Sequence, residues 1–239
     1  MPTPSLPQPR AREHGLQGHV SAVCVVHAII PNPGETPDVT AIDKRPREGR
    51  LEVAAQGLVL DTQVDRRYHG GEEQALYAYA DEDAAWWAGE LDREVAPGLF
   101  GENLRISGIE VSGAEIGERW RVGEGPDAVV LEVTMPRTPC MTFQKRMGLR
   151  GWIKRFTHAG RLGTYLRVVV PGTIGAGDPV TVISRPGHGV RVNDVYPARI
   201  DALRALLDAE AAGVVELASK MRREATRRLA AHSRAQQSS

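Results

Sequence analysis

GRLGTYLRVVVPGTIGAGDPVTVISRP, residues 160–186, shows in one stretch how this chain is built. Two short β-branched runs, YLRVVV and PVTVIS, flank a connection rich in Gly and Pro, which is the pattern of strands joined by tight turns. GAGD at 175–178 is a turn before a strand, and no helix follows it, so it is not a dinucleotide-binding fingerprint. Moving outward, the same texture recurs in HVSAVCVVHAII (19–30), VTAI (39–42), RLEVA (50–54), LVLDTQV (58–64), ENLRI (102–106), ERWRV (118–122) and VVLEVT (129–134). Many short strands at close spacing argue for a barrel or a sandwich, not a doubly wound sheet. Glycines in GLF, GEN, IGE and GAGD suit the bulges and tight corners of a small closed sheet. The expected class is mainly β within an α+β chain.

Two helical insertions interrupt the strands. DEDAAWWAGEL (81–91) offers Asp81 as a cap, acidic residues in its first turn, and Trp86, Trp87 and Leu91 as an apolar side. A second spans roughly Phe143 to His158, with Gly148 and Gly151 breaking it into two pieces. From Asp194 the chain turns Ala-, Leu- and Arg-rich. Ile200, Leu203, Leu206 and Leu207, then Val214, Leu217, Met221, Ala225 and Leu229, follow helical spacing. Two helices separated near Gly213 are expected, as a small separate extension over 194–239. Residues 1–18 carry four prolines and few large apolar residues, and read as a disordered tail before a main domain over 19–193.

The 239 residues suit one large domain with an appendage. Thirty Lys+Arg balance thirty Asp+Glu, so no global field draws the molecule to nucleic acid or a membrane, and an anion site must be built locally. No long apolar run or secretory signal is present, so a soluble cytoplasmic protein is expected. Two cysteines, Cys24 and Cys140, do not make a disulfide framework. Cys24, inside the first strand, reads as a small buried hydrophobe.

Four segments draw chemical interest: TAIDKRP (40–46), DRRYHGGEEQALYAY (65–79), PGLFGENL (97–104) and LEVTMPRTPCMTF (131–143). Pro136 and Pro139 stiffen the loop that carries Cys140, and Arg137 brings positive charge that favours a thiolate. A thiolate is a soft metal ligand, although a loop cysteine is more often incidental. Gly70 and Gly71 let successive N–H groups converge into an anion-binding nest, with His69 and Arg67 adding donors; the alternative is a β-turn beside a surface histidine. Asn103 either bonds a heterocycle's edge or closes a turn. Glu102 is either a base or a partner for Arg67. Phe100 reads as core. Lys44 and Arg45 either bind phosphate or solvate a loop. Lys220, Arg222, Arg223, Arg227, Arg228 and Arg234 crowd the last helix, as a solvated face or, less readily, a nucleic-acid surface without interleaved aromatics. No G-x-S-x-G, P-loop, HExxH or paired CxxC is present.

In order, AIDKRP, GLVLDTQVDRRYHGGEEQALYAY, PGLFGENL, IGERWRVG, LEVTMPRTPC and residues 160–186 resemble the MOSC family, the molybdenum cofactor sulfurase C-terminal domain, and within it the stand-alone YiiM-type bacterial branch. The resemblance covers roughly His19 to Arg191. HGG, FGENL and PR-x-PC are specific together and weak singly. It implies a β-barrel-like domain with a cleft for the molybdenum cofactor and a helical C-terminal extension. Cys140 then matches the metal's cysteine ligand. Lys44, Arg67, His69, Gly70, Gly71, Asn103 and Arg137 match cofactor-binding positions, and His69 or Glu102 is placed to assist proton delivery. The implied activity is reduction of N-hydroxylated small molecules, such as hydroxylaminopurines, to amines. Electrons would come from a separate donor protein, because the chain carries no flavin, haem or iron–sulfur motif. A homodimer is implied; a nucleic-acid or membrane partner is not. The alternative is a non-enzymatic carrier of cofactor or persulfide sulfur on Cys140.

Overall fold

A computed structural model describes residues 17–64, 70–197 and 199–237. In chain order the strands are β1 (Gln17–Pro31), β2 (Val39–Pro46), β3 (Leu51–Ala54), β4 (Gly57–Leu58), β5 (Leu76–Ala80), β6 (Leu104–Ser107), β7 (Arg119–Val122), β8 (Val129–Pro136), β9 (Thr164–Val170), β10 (Gly172–Ile174) and β11 (Pro179–Ser184). The helices are α1 (Asp81–Leu91), α2 (Met141–Met147), α3 (Trp152–Ala159), α4 (Ile200–Ala211) and α5 (Ser219–Gln237). Among the described residues no helix is long and apolar enough to cross a membrane.

Seven strands close into a barrel, in the order β1, β6, β5, β9, β8, β7, β11 and back to β1. Only β5 and β6 run parallel among these pairs. Closure removes the exposed edges that an open sheet must protect. β1 is long enough to serve twice: its first half joins the barrel, and its second half leaves with β2 as an antiparallel hairpin. Glycine is required where two backbones nearly touch. A Cβ on Gly18 would lie 2.0 Å from the Ser107 carbonyl oxygen, at the β1–β6 seam. A smaller sheet of β10, β3 and β4 lies beside the barrel.

Side-chain alternation on β5 divides the interior into two clusters. Leu76, Ala78 and Ala80 join the aliphatic barrel core, whereas Tyr77 and Tyr79 join an aromatic cluster with Trp87, Phe100, Phe143, Trp152 and Phe156 from α1, α2, α3 and the loop before β6. Phe100 is wholly buried, as its sequence context suggested.

Several sequence expectations change in detail. The first strand starts at Gln17, two residues before the assigned domain start, while residues 1–16 of the expected tail lie outside the described residues. LVLDTQV is not a strand beyond Leu58: Asp61 N–H turns back to the Leu58 carbonyl, and Val59 and Leu60 are exposed. Asp81 is the first residue of α1 and not its cap; its carboxylate instead accepts from Ser21 and faces Arg105. The break in the second insertion falls where expected, with Gly148 ending α2 and Gly151 starting α3, both left-handed. The last helix begins at Ser219 and not near Val214. Leu203, Leu206, Leu217, Met221 and Ala225 belong to the same buried cluster as the barrel interior.

Candidate functional site

A cleft of about 980 Å³ brings together Lys44, Gly70, Asn103, Arg137 and Cys140, five of the residues singled out in the sequence. Arg67 and His69 lie outside the described residues.

The first wall is the end of β8 and the PRTPC loop. Arg137 is buried, and its guanidinium carbon sits 3.6 Å from the centre of the Phe143 ring, with Tyr77 and Phe156 farther out. The aromatic cluster thus fixes the guanidinium, and a desolvated contact of this kind contributes about 2 kcal/mol. Arg137 Nη1 is buried with no hydrogen-bond partner among the described residues. Leaving such a donor unmade costs roughly 1–3 kcal/mol, more for a charged group, so this atom marks a place where an acceptor belongs. Cys140 is partly buried, packs on the aromatic cluster, and occupies the residue just before α2. α2 is tied down by Asn32 Nδ2 donating to Thr142 Oγ1 at 2.9 Å and Arg146 donating to Asp43 at 2.7 Å.

The second wall centres on a residue the sequence reading passed over. Asp61 accepts from Lys44 Nζ, from Asn103 Nδ2 at 2.8 Å and from Val26 N–H at 2.9 Å. Burial lowers the Lys44 pKa below its ordinary value, against the pull of Asp61. Asn103 also donates to the Cys24 carbonyl and accepts from Tyr77 N–H, so it staples β1 to β5 from inside the cleft. These side-chain bonds run to residues distant in the chain, so Asn103 links strands and does not simply close a turn. Cys24 itself is wholly buried, and burial, with Glu102 next, pushes its thiol pKa up to about 12.

Two assignments need correction. Glu102 is not among the described residues that line the cleft, and its carboxylate is engaged elsewhere; its pairing with Arg67 lies outside the described residues. It is wholly buried, accepts from the N–H groups of Gly98 and Phe100 at 2.8 and 3.0 Å, and is ion-paired to buried Arg105. Its lone pairs are consumed in holding the loop before β6. The two glycines do not present an open nest either. Gly71 N–H donates to Gln63 Oε1 at 3.1 Å, and Gly70 N–H points to Gln74 Oε1 at 3.5 Å. Gln63 fills the hollow; a Cβ on Gly70 would lie 2.3 Å from its Oε1.

The third wall is α5, which contributes Lys220, Arg223, Glu224, Arg227 and Arg228 to the cleft. Helical spacing signalled that this helix has a buried side, but not that its charged side faces a cleft. Among the described residues no group of three or more His, Cys, Asp or Glu could hold a metal ion.

A MOSC domain model matches residues 65–181. Over 153 residues the chain is 30% identical to the uncharacterized protein YflK of Bacillus subtilis (strain 168), covering 64% of this chain and 67% of that protein. It is 31% identical over 150 residues to a protein named Reductase from Gibberella moniliformis, covering 62% of this chain and 26% of that much longer protein. The crystal structure of YiiM from Geobacillus stearothermophilus superposes with a TM-score of 0.70 at 23% identity, over 89% of this chain and 99% of that one.

Proposed function

This chain belongs to the MOSC domain family, and on that premise we propose that its cleft binds the molybdenum cofactor, with Cys140 as sulfur ligand, and reduces N-hydroxylated compounds to amines. The observation that carries the reading is the pairing, in one cleft, of a partly buried thiol with a buried guanidinium nitrogen that lacks an acceptor among the described residues. A thiolate is the soft ligand such a metal takes, and a fixed guanidinium suits an anionic group of the cofactor. The Gibberella moniliformis relative named Reductase points in the same direction.

When bound, the cofactor supplies the redox-active metal and its dithiolene sulfurs. The protein's share is placement and proton supply. The stiff PRTPC loop holds Cys140 in one direction, and Arg137 is clamped on Phe143. Lys44 Nζ bonds Asp61 inside the cleft, and burial lowers its pKa, which suits proton transfer better than an exposed lysine does. The reaction consumes two electrons and two protons: the N–O bond of R–NHOH breaks, leaving R–NH2 and water. The electrons come from a separate donor protein.

The test is molybdenum content, by elemental analysis, of the wild type and Cys140→Ala purified from cells that make the cofactor. It is paired with turnover of 6-hydroxylaminopurine using an artificial electron donor. Near-stoichiometric metal and turnover, both lost in a folded variant, are expected. A fully active alanine variant overturns the assignment. Metal bound without turnover leaves the carrier reading in its place.

A further inference from the structure

Among the described residues, six cationic and three acidic side chains line the cleft. Each carboxylate is already engaged: Asp61 with Lys44, Glu35 with Lys145, and Glu224 with Arg227 and Arg228. In a chain of formal net charge zero, this is a local cationic surplus. Much of it lies on α5. Arg223 is exposed and makes no ion pair among the described residues, and the Arg227 side chain remains 68% exposed while paired with Glu224. So open an ion pair contributes little, and an incoming anion can displace it.

The wall is also held in place. Ser219 donates its N–H and its hydroxyl to the two oxygens of Glu73, at 2.7 and 2.8 Å, and Arg222 grips Glu210 through two nitrogens. Met221 and Ala225 anchor the opposite face in the core. The cations are thus presented by a preorganised helix, which lowers the ordering cost of binding. Arg137, by contrast, is buried, as befits a group that holds a resident molecule. Exposed arginines suit an anion that enters and leaves with each turnover. The cleft is also at the upper end of the range for small-molecule sites, about 300–1,000 Å³, which leaves room for more than a base beside a cofactor.

We propose that α5 is a phosphate-reading wall: the cleft takes its N-hydroxylated base as the nucleoside monophosphate, with the phosphate on Arg223 and Arg227. This rests on the reductase reading for the base, but not for the phosphate. Guanidinium groups bind phosphate through paired, charge-assisted hydrogen bonds, so the phosphate group should be recognised even on an unreactive analogue.

Titration calorimetry of the full-length protein with adenosine 5′-monophosphate and with adenosine tests this without any turnover. The wild type should prefer the monophosphate by about tenfold or more. In Arg223→Ala/Arg227→Ala the preference should shrink to within about twofold. Arg150→Ala, which removes a charge outside the cleft, should keep the preference. Molybdenum content should be the same in all three. Equal affinity of the wild type for both ligands overturns the proposal. Loss of molybdenum in the double variant overturns it too, because the phosphate being read is then the cofactor's own. Tighter binding of a single-stranded oligonucleotide that displaces the monophosphate overturns it in favour of a polynucleotide surface. Reduction of the free base with no preference for its monophosphate removes this inference and leaves the reductase reading. A monophosphate preference without reduction of any N-hydroxylated compound keeps the phosphate wall and removes the reductase reading.

Discussion

Arg137 and Arg227 face the same cleft under opposite conditions. Arg137 is enclosed by Phe143, Tyr77 and Phe156, with one nitrogen lacking an acceptor among the described residues; Arg227 stands in solvent with its carboxylate partner three residues away on its own helix. The first is held by the fold and is costly to disturb. The second costs the fold little and is free to respond to what enters. On the proposed reading, one fixed wall and one responsive wall would separate keeping a cofactor from exchanging a substrate.

That contrast can be broken most strongly at Asp61. Asp61→Asn leaves the buried Lys44 ammonium without its counter-charge, and breaking a buried pair costs about 3–5 kcal/mol. Urea denaturation should show the loss; a change under 1 kcal/mol would mean that Lys44 already sits neutral. Next is Arg137→Ala, which should cost about 2 kcal/mol from the lost ring contact and lower molybdenum occupancy by about tenfold or more. Arg137→Lys should not restore occupancy, because an ammonium lacks the planar fork.

Glu73→Gln probes the tether of α5 and should cost about 1 kcal/mol at pH 7. Burial raises the Glu73 pKa, but hydrogen bonds from Ser219 and Lys220 outweigh it and hold the carboxyl below its usual range. A lowered folded pKa gives stabilisation that is complete above the unfolded value of about 4.3 and lost as pH falls through the folded value. Thermal melts of wild type and variant should therefore converge in acid; a gap that is constant with pH would rule out the ionised tether. Arg223→Ala should change stability by no more than about 0.5 kcal/mol, since an exposed arginine with no ion pair among the described residues contributes little to the fold. A larger drop in melting temperature would show that the responsive wall is structural after all.

The legible parts of the sequence were those with local causes. VVLEVT followed by two prolines announced a strand feeding a stiff loop, and that loop carries Cys140. Gly148 and Gly151 announced the helix break because a left-handed backbone is cheapest for glycine. What stayed hidden depends on partners distant in sequence. LYAYA was not read as a strand because both its faces are buried, one in the barrel and one among aromatics, so it shows no polar alternation. Asp61 sits in an apolar run that imitates a strand, and its meaning comes from Lys44 and Asn103. Glu102 was misread because nothing in GENL says that Arg105, three residues on, turns inward with it.

The barrel's closing seam has a kinetic consequence. Gln17 pairs with Thr181, Gly18 with Val180 and His19 with Pro179, so the ring cannot shut until strands from opposite ends of the domain meet. Contacts that far apart along the chain raise the contact order and slow folding, since the entropy of closing a long loop is lost before any strand pairing compensates. On the ribosome, the Gln17–His19 end of β1 must wait for β11, and that end stays unpaired on its β11 side in the meantime. A protein built around this seam should fold late and slowly, and should depend on protection from aggregation during that wait.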